Sequence, residues 1–194
     1  MHIAALPAIA QLWLPSRLER LRNAFPQLNF SVTALETPPT LSREMFDLSI
    51  FFEEPNDNSD QIVLAHDIIF PVCAPKLAEG FAKGSARLLH DQGWSSGWRL
   101  WAEQTGAEMD ALNAGARYSL YGLAVEEAKA GAGILMGHAC LIDSLLKTGQ
   151  LVPASLKQAK TGRAMVLNLP NSPTRRPVVD NIAAHLVGQI GSTN

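Results

Sequence analysis

Residues 123–147, LAVEEAKAGAGILMGHACLIDSLLK, contain the pattern on which the fold assignment depends. They predict a helix over residues 123–130, an apolar strand within 133–137 and a second helix over 141–147. A short apolar run between two helical stretches is typical of a strand in a parallel sheet, whose connections are helices. Gly131 and Gly133 follow a helix, whereas dinucleotide-binding glycines precede one, so we interpret them as a helix end and a tight entry to the strand.

The same alternation continues on both sides of this stretch. Apolar runs predict strands at 2–6, 30–34, 48–52, 62–64, 68–73, 116–119, 151–152 and 165–169. Helical spacing predicts helices at 7–25, 75–82, 97–105 and 177–190, the first kinked or restarted at Pro15. The last helix carries an apolar stripe of Val178, Ile182, Leu186 and Ile190. Two rounds of strand and helix predict an α/β fold of two Rossmann-like lobes.

The composition argues against several function classes. The 194 residues include 16 basic and 18 acidic side chains, a net charge of -2. Nucleic-acid binding draws most of its affinity from basic side chains, so this balance argues against an autonomous DNA or RNA binder. No apolar run approaches the roughly 20 residues of a membrane span, and no export signal opens the chain, so we expect a cytoplasmic protein. Cys73 and Cys140 lack metal-site spacing and are expected to be reduced core thiols.

The strongest catalytic signal is Gly93-Trp94-Ser95-Ser96-Gly97, which matches the G-x-S-x-G nucleophile elbow. An elbow needs a strand before its serine, and His90-Asp91-Gln92 is judged too polar for a central strand. Asp143 and His185 are available as triad partners, but their spacing does not single them out. The two serines fit better at a helix start, either as a polar cap or as an anion site of hydroxyl and N–H groups.

Other residues that carry chemistry elsewhere have a structural interpretation here. The five histidines are widely separated and form no metal-ligand pair, so we expect no metal site. We also expect no cofactor and no catalytic residue. Trp98 and Trp101, three apart on a predicted helix, are expected to pack in the core. Phe51 and Phe52 end a buried strand, so one should face the core while the other can reach a cleft.

Several short motifs, in this order and spacing, resemble the effector-binding domain of LysR-type transcriptional regulators over nearly the whole chain. They are Leu6-Pro7-Ala8 with Trp13-Leu14, FDLSI at 46–50, FPVCAP at 70–75, Trp98-Arg99-Leu100-Trp101, AKAGAGI at 128–134 and GQLV at 149–152. The Trp-x-x-Trp helix is similar to that of the branch containing the glycine-cleavage and β-lactamase regulators.

The resemblance implies a periplasmic-binding-protein-like fold of type 2, with two lobes joined by crossover strands near Pro71 and Val166. Lobe I would comprise residues 1–71 and 167–194, and lobe II residues 72–166. It also implies a homodimer, tetrameric when full length, in which the first helix and the strand at 30–34 meet the partner's second lobe. A winged helix-turn-helix precedes this domain in the family. The chain opens abruptly on a predicted strand, so we expect it to be a fragment that meets promoter DNA only through that absent N-terminal domain.

In the family a small-molecule effector lies between the lobes, and two departures bear on its chemistry. Ala8 stands where the branch often has Ser or Thr, and Phe51-Phe52-Glu53 stands where it continues Arg-x-Gly. Both remove polar anchors, so we expect an amphipathic effector in preference to a compact amino acid such as glycine. Ser95, Ser119 and Tyr121 are expected to form hydrogen bonds, and Phe52 to pack on the ligand. The full expected site is Leu6, Pro7, Ala8, Phe51, Phe52, Ser95, Ser96, Ser119, Leu120, Tyr121, Met136 and His138.

Two other functions remain open at this point. An extracytoplasmic solute-binding protein shares the same architecture, and an export signal in the gene would favour it. A serine hydrolase would use Ser95 and would cleave p-nitrophenyl esters. We expect the effector-sensing and dimerisation domain of a LysR-type regulator, which is not an enzyme.

Overall fold

Strands and helices alternate throughout the computed structural model, which describes residues 1–41, 45–78, 87–108, 114–172 and 175–188. The chain divides into two units, one of Met1–His66 with Gly162–Asn194 and the other of Asp67–Thr161. The lobe boundaries predicted from the sequence, at 71 and 166, each lie five residues beyond these divisions at 66 and 161. In the described part of the chain, no helix is both long and apolar enough to cross a membrane.

The first unit is built on parallel strands that alternate with helices. Its elements are β1 (His2–Ala5), α1 (Pro7–Leu12), α2 (Leu14–Ala24), β2 (Ser31–Ala34), β3 (Leu48–Glu53) and α6 (Pro177–Gly188). Strand β1 lies between β2 and β3 and is parallel to both. The C-terminal half of β9 (Ala159–Asn168) pairs with β3 in the antiparallel direction.

The second unit repeats the alternation. Its elements are a 3-10 turn (Pro75–Leu77), β5 (Leu88–Asp91), α3 (Gly97–Thr105), β6 (Ala116–Tyr118), α4 (Tyr121–Ala130), β7 (Ile134–His138), α5 (Ala139–Lys147) and β8 (Val152–Pro153). Strand β5 lies between β6 and β7 and is parallel to both. The final part of β4 (Gln61–Cys73) is antiparallel to β7 and β8. The carboxyl ends of β5, β6 and β7 therefore meet at one edge of the sheet.

Two tryptophans anchor the core of the second unit, as their spacing predicts. Trp98 and Trp101 are buried, and their rings meet edge to face with centroids 6.3 Å apart. Each indole N–H also has a partner, since Trp98 Nε1 donates to the carbonyl of Leu89 at 3.1 Å and Trp101 Nε1 to that of Lys157 at 2.8 Å. These side chains combine large buried area with satisfied polar atoms, which makes them efficient core residues.

The glycines of the 123–147 stretch have the predicted local roles. Gly131 ends α4 in the left-handed region, with φ of 85°. A Cβ at Gly133 would lie 2.5 Å from the carbonyl oxygen of Arg87, so the approach of these two backbones excludes any side chain.

The first helix is restarted as expected, because α1 ends at Leu12 and Pro15 occupies the first turn of α2.

Three element predictions were wrong. The runs at 62–64 and 68–73 form the single strand β4, because the buried carboxylate of Asp67 between them is hydrogen-bonded and the strand need not break there. Strand β9 begins at residue 159, six residues before the predicted start. On α6 the buried face contains Val179, Ile182, Ala183 and Leu186, so Val179 replaces Val178 on the apolar stripe. The predicted ends at residues 79–82 and 189–190, including Ile190, lie outside the described residues.

Candidate functional site

A small pocket lies at the carboxyl edge of the sheet in the second unit. Strand β5 contributes Leu89, His90 and Asp91, strand β7 contributes Leu135, Met136 and His138, and Trp94, Trp98 and Tyr121 complete the wall. Its cavity volume is about 10 Å³, which corresponds to roughly one water-sized sphere, and the pocket is open to solvent. Ligands of open α/β sheets bind at this edge, where the loops between strands and helices converge.

Tyr121 holds two backbone groups of β7 in place. It is the first residue of α4, and its buried hydroxyl donates to the carbonyl of Met136 at 3.2 Å while accepting the N–H of His138 at 3.1 Å. Burial raises the pKa of Tyr121 far above its ordinary value, and the negative charges of Asp67 and Asp91 raise it further. The phenol is therefore neutral at physiological pH, and its hydroxyl links α4 to the end of β7 through these two hydrogen bonds.

His138 forms a buried pair with a residue 71 positions earlier in the chain. Its Nδ1 lies 2.8 Å from Oδ1 of Asp67, and the two side chains are 3% and 0% exposed. The other oxygen of Asp67 accepts the hydroxyl of Thr161 at 2.9 Å. An ionised carboxylate can only accept hydrogen bonds, so with Asp67 ionised Nδ1 of His138 is the donor in this pair. This pair fixes the orientation of the imidazole at the pocket wall.

Trp94 closes the aromatic side of the pocket. Its ring lies 4.1 Å from the His138 ring, tilted by 39°, and meets Tyr121 edge-on at 5.0 Å. Asp91 positions this loop, because its Oδ1 accepts the backbone N–H groups of Gly93 at 2.8 Å and of Trp94 at 3.1 Å. An aspartate that bonds the backbone two residues on is a common local turn. The Asp91-Gln92-Gly93 sequence thus determines where the indole lies.

The interpretation of residues 90–92 as too polar for a central strand was wrong. Strand β5 includes His90 and Asp91, both buried. Each polar side chain has a partner, since His90 Nε2 contacts the carbonyl of Ala114 at 3.0 Å and Asp91 accepts the two N–H groups of the turn. Burial of polar groups is tolerated when they are hydrogen-bonded.

The G-x-S-x-G motif therefore does lie between a strand and a helix. Ser95 is exposed and makes no hydrogen bond to any histidine in the described part of the chain. Asp143, one proposed triad partner, forms a surface ion pair with Lys147 at 3.1 Å. A nucleophilic serine needs a base within hydrogen-bond reach, so the residues that the structure describes assemble no catalytic arrangement around Ser95.

Three of the seven site residues expected in the second unit line this pocket, namely Tyr121, Met136 and His138. The other four are exposed and outside the lining: Ser95, Ser96, Ser119 and Leu120. The sequence analysis missed Asp91 and Trp94 as site residues. The Asp-x-Gly spacing before Trp94 is the local signal with which they could have been found.

The five site residues expected in the first unit lie at the carboxyl ends of β1 and β3. The N–H of Leu6 donates to the carbonyl of Ile50 at 3.1 Å, and Pro7 opens α1. Ala8, Phe51 and Phe52 are only 4%, 2% and 4% exposed, so both rings are covered in this structure.

The possible metal ligands and the two cysteines were the remaining candidates for chemistry. Among the described residues, no group of three or more His, Cys, Asp or Glu side chains is arranged to hold a metal ion. Cys73 is buried, and burial raises the pKa of its thiol, as expected for a core cysteine. The expectation for Cys140 was too simple, because this thiol at the start of α5 is only partly buried.

Comparison with known proteins identifies relatives along almost the entire chain. The model of the LysR substrate binding domain matches residues 1–190. The HTH-type transcriptional regulator TrpI of Pseudomonas aeruginosa is 28% identical over 177 residues, covering 78% of this chain and 60% of the regulator. The HTH-type transcriptional activator AmpR of Rhodobacter capsulatus is 28% identical over 200 residues, covering 97% and 66%. The glycine cleavage system transcriptional activator of Escherichia coli K12 is 24% identical over 162 residues, covering 78% and 52%.

Solved structures show the same fold. The AmpR effector-binding domain of Citrobacter freundii superposes with a TM-score of 0.79 at 19% identity, covering 98% of both chains. The effector domain of AmpR from Pseudomonas aeruginosa also gives 0.79, at 17% identity and covering 98% of this chain and 95% of that one. At these identities the likeness concerns the fold, which is the predicted periplasmic-binding-protein-like architecture.

The relatives differ from this chain in length. It spans between half and two thirds of each curated regulator that it matches. The family model, in contrast, covers nearly all of the chain, and it agrees with both the motif order and the fold. The chain is therefore a member of the LysR substrate-binding domain family.

Proposed function

We propose that this chain is the small-molecule-sensing domain of a LysR-type transcriptional regulator, and that the pocket beside Trp94, Tyr121 and His138 receives part of the effector. The observation that carries the proposal is the position of this pocket at the carboxyl edge of the sheet, in a member of this family. Pockets that combine aromatic walls with a few fixed polar groups are the usual form of small-molecule sites.

Sensing requires a ligand that binds two states of the protein with different affinity, and it requires no nucleophile. The polar atoms of Tyr121 and His138 are held by hydrogen bonds within the protein, so these residues form a fixed wall for a ligand. We infer that the chain is not an enzyme. The relatives are transcriptional regulators, and neither the solute-binding alternative nor the hydrolase alternative receives support from them.

The remaining parts of the proposal rest on the family. Two of the relatives carry HTH-type in their names, so we propose that promoter DNA is read by a helix-turn-helix segment and not by this domain. We also propose a homodimer that acts in the cytoplasm. The predicted contacts of Leu6, Pro7, Ala8, Phe51 and Phe52 with the effector, and those of the exposed Ser95, Ser96, Ser119 and Leu120, stay predictions.

A ligand screen tests the proposal. Small acids, amines and neutral aromatic compounds are added to the chain, while tryptophan fluorescence and the melting temperature are followed. We expect at least one class to bind, and to bind less tightly to the Trp94→Leu variant than to the Arg99→Ala variant, which changes an exposed residue of α3. Absence of any binder, or equal binding to both variants, would contradict the assignment of this pocket.

A further inference from the structure

Several hydrogen-bond donors around the pocket already have partners within the protein. The N–H groups of Gly93, Trp98 and His138 donate to protein oxygens, and so does the hydroxyl of Tyr121. An anionic ligand would need such donors, because a buried charge without partners is costly. Carbonyl and carboxylate oxygens, in contrast, can each accept more than one hydrogen bond, so an acceptor that already has a partner can also receive an N–H of a ligand.

The charge around the pocket is also one-sided. Asp91 lines it, and the buried carboxylate of Asp67 lies directly behind the His138 ring. No lysine or arginine is among the described residues of the lining, and its basic side chains are His90 and His138. A ring nitrogen of His90 lies 3.0 Å from the carbonyl of Ala114, and one of His138 lies 2.8 Å from the Asp67 carboxylate. The effect of both carboxylates on the pKa of Tyr121 agrees with this geometry, since their negative charge disfavours a phenolate between them. The electrostatic environment therefore favours a cation.

The aromatic wall favours the same charge. Trp94, Trp98 and Tyr121 contribute rings to the lining, and Trp94 and Tyr121 meet at right angles with centroids 5.0 Å apart. The faces of aromatic rings carry partial negative charge and attract cations, tryptophan most strongly. Carboxylates and aromatic rings in one wall are a combination that binds amines.

The size of the pocket suits a small head group. Its cavity volume of about 10 Å³ corresponds to about one water-sized group. A primary ammonium has one heavy atom and three N–H donors for the acceptor atoms of the wall, whereas a carboxylate and a trimethylammonium have no N–H to donate.

We propose that this pocket receives the primary ammonium group of the effector, held by the Asp91 carboxylate and the face of Trp94, with the apolar body of the ligand outside it. The inference rests on the proposed sensing function and adds the chemical class of the ligand. It gives the polar end of the expected amphipathic effector a positive charge.

The test compares three probes with the same phenyl body, using the chain as it is and titrations followed by calorimetry. They are 2-phenylethylamine, its N,N,N-trimethyl analogue and phenylacetate, with methylamine as a probe of the head group alone. We expect 2-phenylethylamine to bind at least about tenfold more tightly than either analogue, since one charge-assisted hydrogen bond is worth that much. Methylamine should compete with it.

Variants locate the interaction. Asp91→Asn keeps the Oδ1 acceptor of the turn and removes the charge, and we expect it to weaken amine binding about ten- to hundredfold. Trp94→Leu should weaken it about two- to thirtyfold through loss of the cation–π contact. Asp143→Asn is the matched control, because it removes the same charge from an exposed ion pair outside the pocket. Circular dichroism of each variant verifies the fold, and the comparison of probes needs no variant at all.

The outcomes separate this inference from the proposed function. If phenylacetate or the trimethyl analogue binds as tightly as the primary amine, or if Asp143→Asn weakens binding as much as Asp91→Asn, the ligand class is wrong and sensing stands. If the amines fail at millimolar concentration while other compounds bind with dependence on Trp94, the inference again fails alone. If no compound of any class binds, both proposals fail.

Discussion

Replacement of Tyr121 by phenylalanine isolates the hydrogen bonds that support the pocket. The substitution removes one oxygen atom and keeps the ring, which is buried against Trp94 and His138. That oxygen accepts the N–H of His138 at 3.1 Å and donates to the carbonyl of Met136 at 3.2 Å. Each hydrogen bond contributes about 1 kcal/mol, and a buried N–H left without a partner costs about 1–3 kcal/mol. We therefore expect the free energy of unfolding to fall by about 2–3 kcal/mol.

Urea denaturation followed by tryptophan fluorescence measures this loss. Trp94, Trp98 and Trp101, three of the four tryptophans, lie in the second unit, so the signal reports mainly on the unit that contains Tyr121. For a chain of this size, a loss of about 2–3 kcal/mol corresponds to a decrease of roughly 4–12 °C in the melting temperature. The m-value should stay unchanged, since the exposed surface on unfolding is the same.

Tyr118→Phe is the matched control. It removes the same atom from a tyrosine whose hydroxyl contacts Glu127 Oε2 at 3.2 Å in a partly exposed position. Solvent can replace that partner, so we expect a loss below about 1 kcal/mol. If Tyr121→Phe costs no more than Tyr118→Phe, the Tyr121 hydroxyl does not support the end of β7 as described, and the reasoning is refuted.

Four further measurements test other features. Gly133→Ala should destabilise the chain by more than about 2 kcal/mol in urea denaturation, because its Cβ would meet the carbonyl of Arg87 at 2.5 Å; a neutral effect would contradict the close approach. Burial opposes ionisation of Asp47, but hydrogen bonds from the His2 N–H and from Arg176 outweigh it and lower the pKa of Asp47. The contribution of Asp47 to the free energy of unfolding is therefore complete above about pH 4 and is lost as the pH falls below that value. Asp47→Asn should flatten the acid side of the curve of stability against pH, and an unchanged acid side would count against this assignment. A gel shift at low salt should detect no sequence-specific DNA binding tighter than about micromolar, and tighter specific binding would refute the proposal that DNA is read elsewhere. Light scattering at tens of micromolar should detect a dimer that α1 and β2 help to form, and a monomer would oppose it.

Element types could be predicted because their signals are local. The stretch 123–147 contains a helical repeat, an apolar run and a second helical repeat, and the structure has α4, β7 and α5 there. Gly131 and Gly133 punctuate it where a left-handed residue and a close backbone approach are needed. Motif order added the family, which the family model confirms over residues 1–190.

The errors about buried polar residues in strands arose because hydrogen bonds formed in the folded chain satisfy these groups. Asp67 does not end a strand, because His138 and Thr161 bond its carboxylate from positions 71 and 94 residues away. His90 contacts the carbonyl of Ala114, 24 residues away, whereas Asp91 is bonded locally by the N–H groups of Gly93 and Trp94. A pattern of hydrophobicity predicts that such residues are exposed, because it contains no information about their hydrogen-bond partners in the folded chain.

The sequence alone thus determined the α/β class, the alternation of elements, the core tryptophans and the family. The first three depend on periodicity and on backbone conformation at single glycines, which act within a few residues. The family depends on the order of short motifs along the chain, which is itself written in the sequence. Tertiary structure alone decided which polar residues are buried, that Trp94 and Asp91 line the pocket with Tyr121 and His138, and that the serines of the G-x-S-x-G motif stay exposed. These outcomes depend on long-range packing, in which a carboxylate or an imidazole is stable inside the protein only because another strand supplies its hydrogen bond.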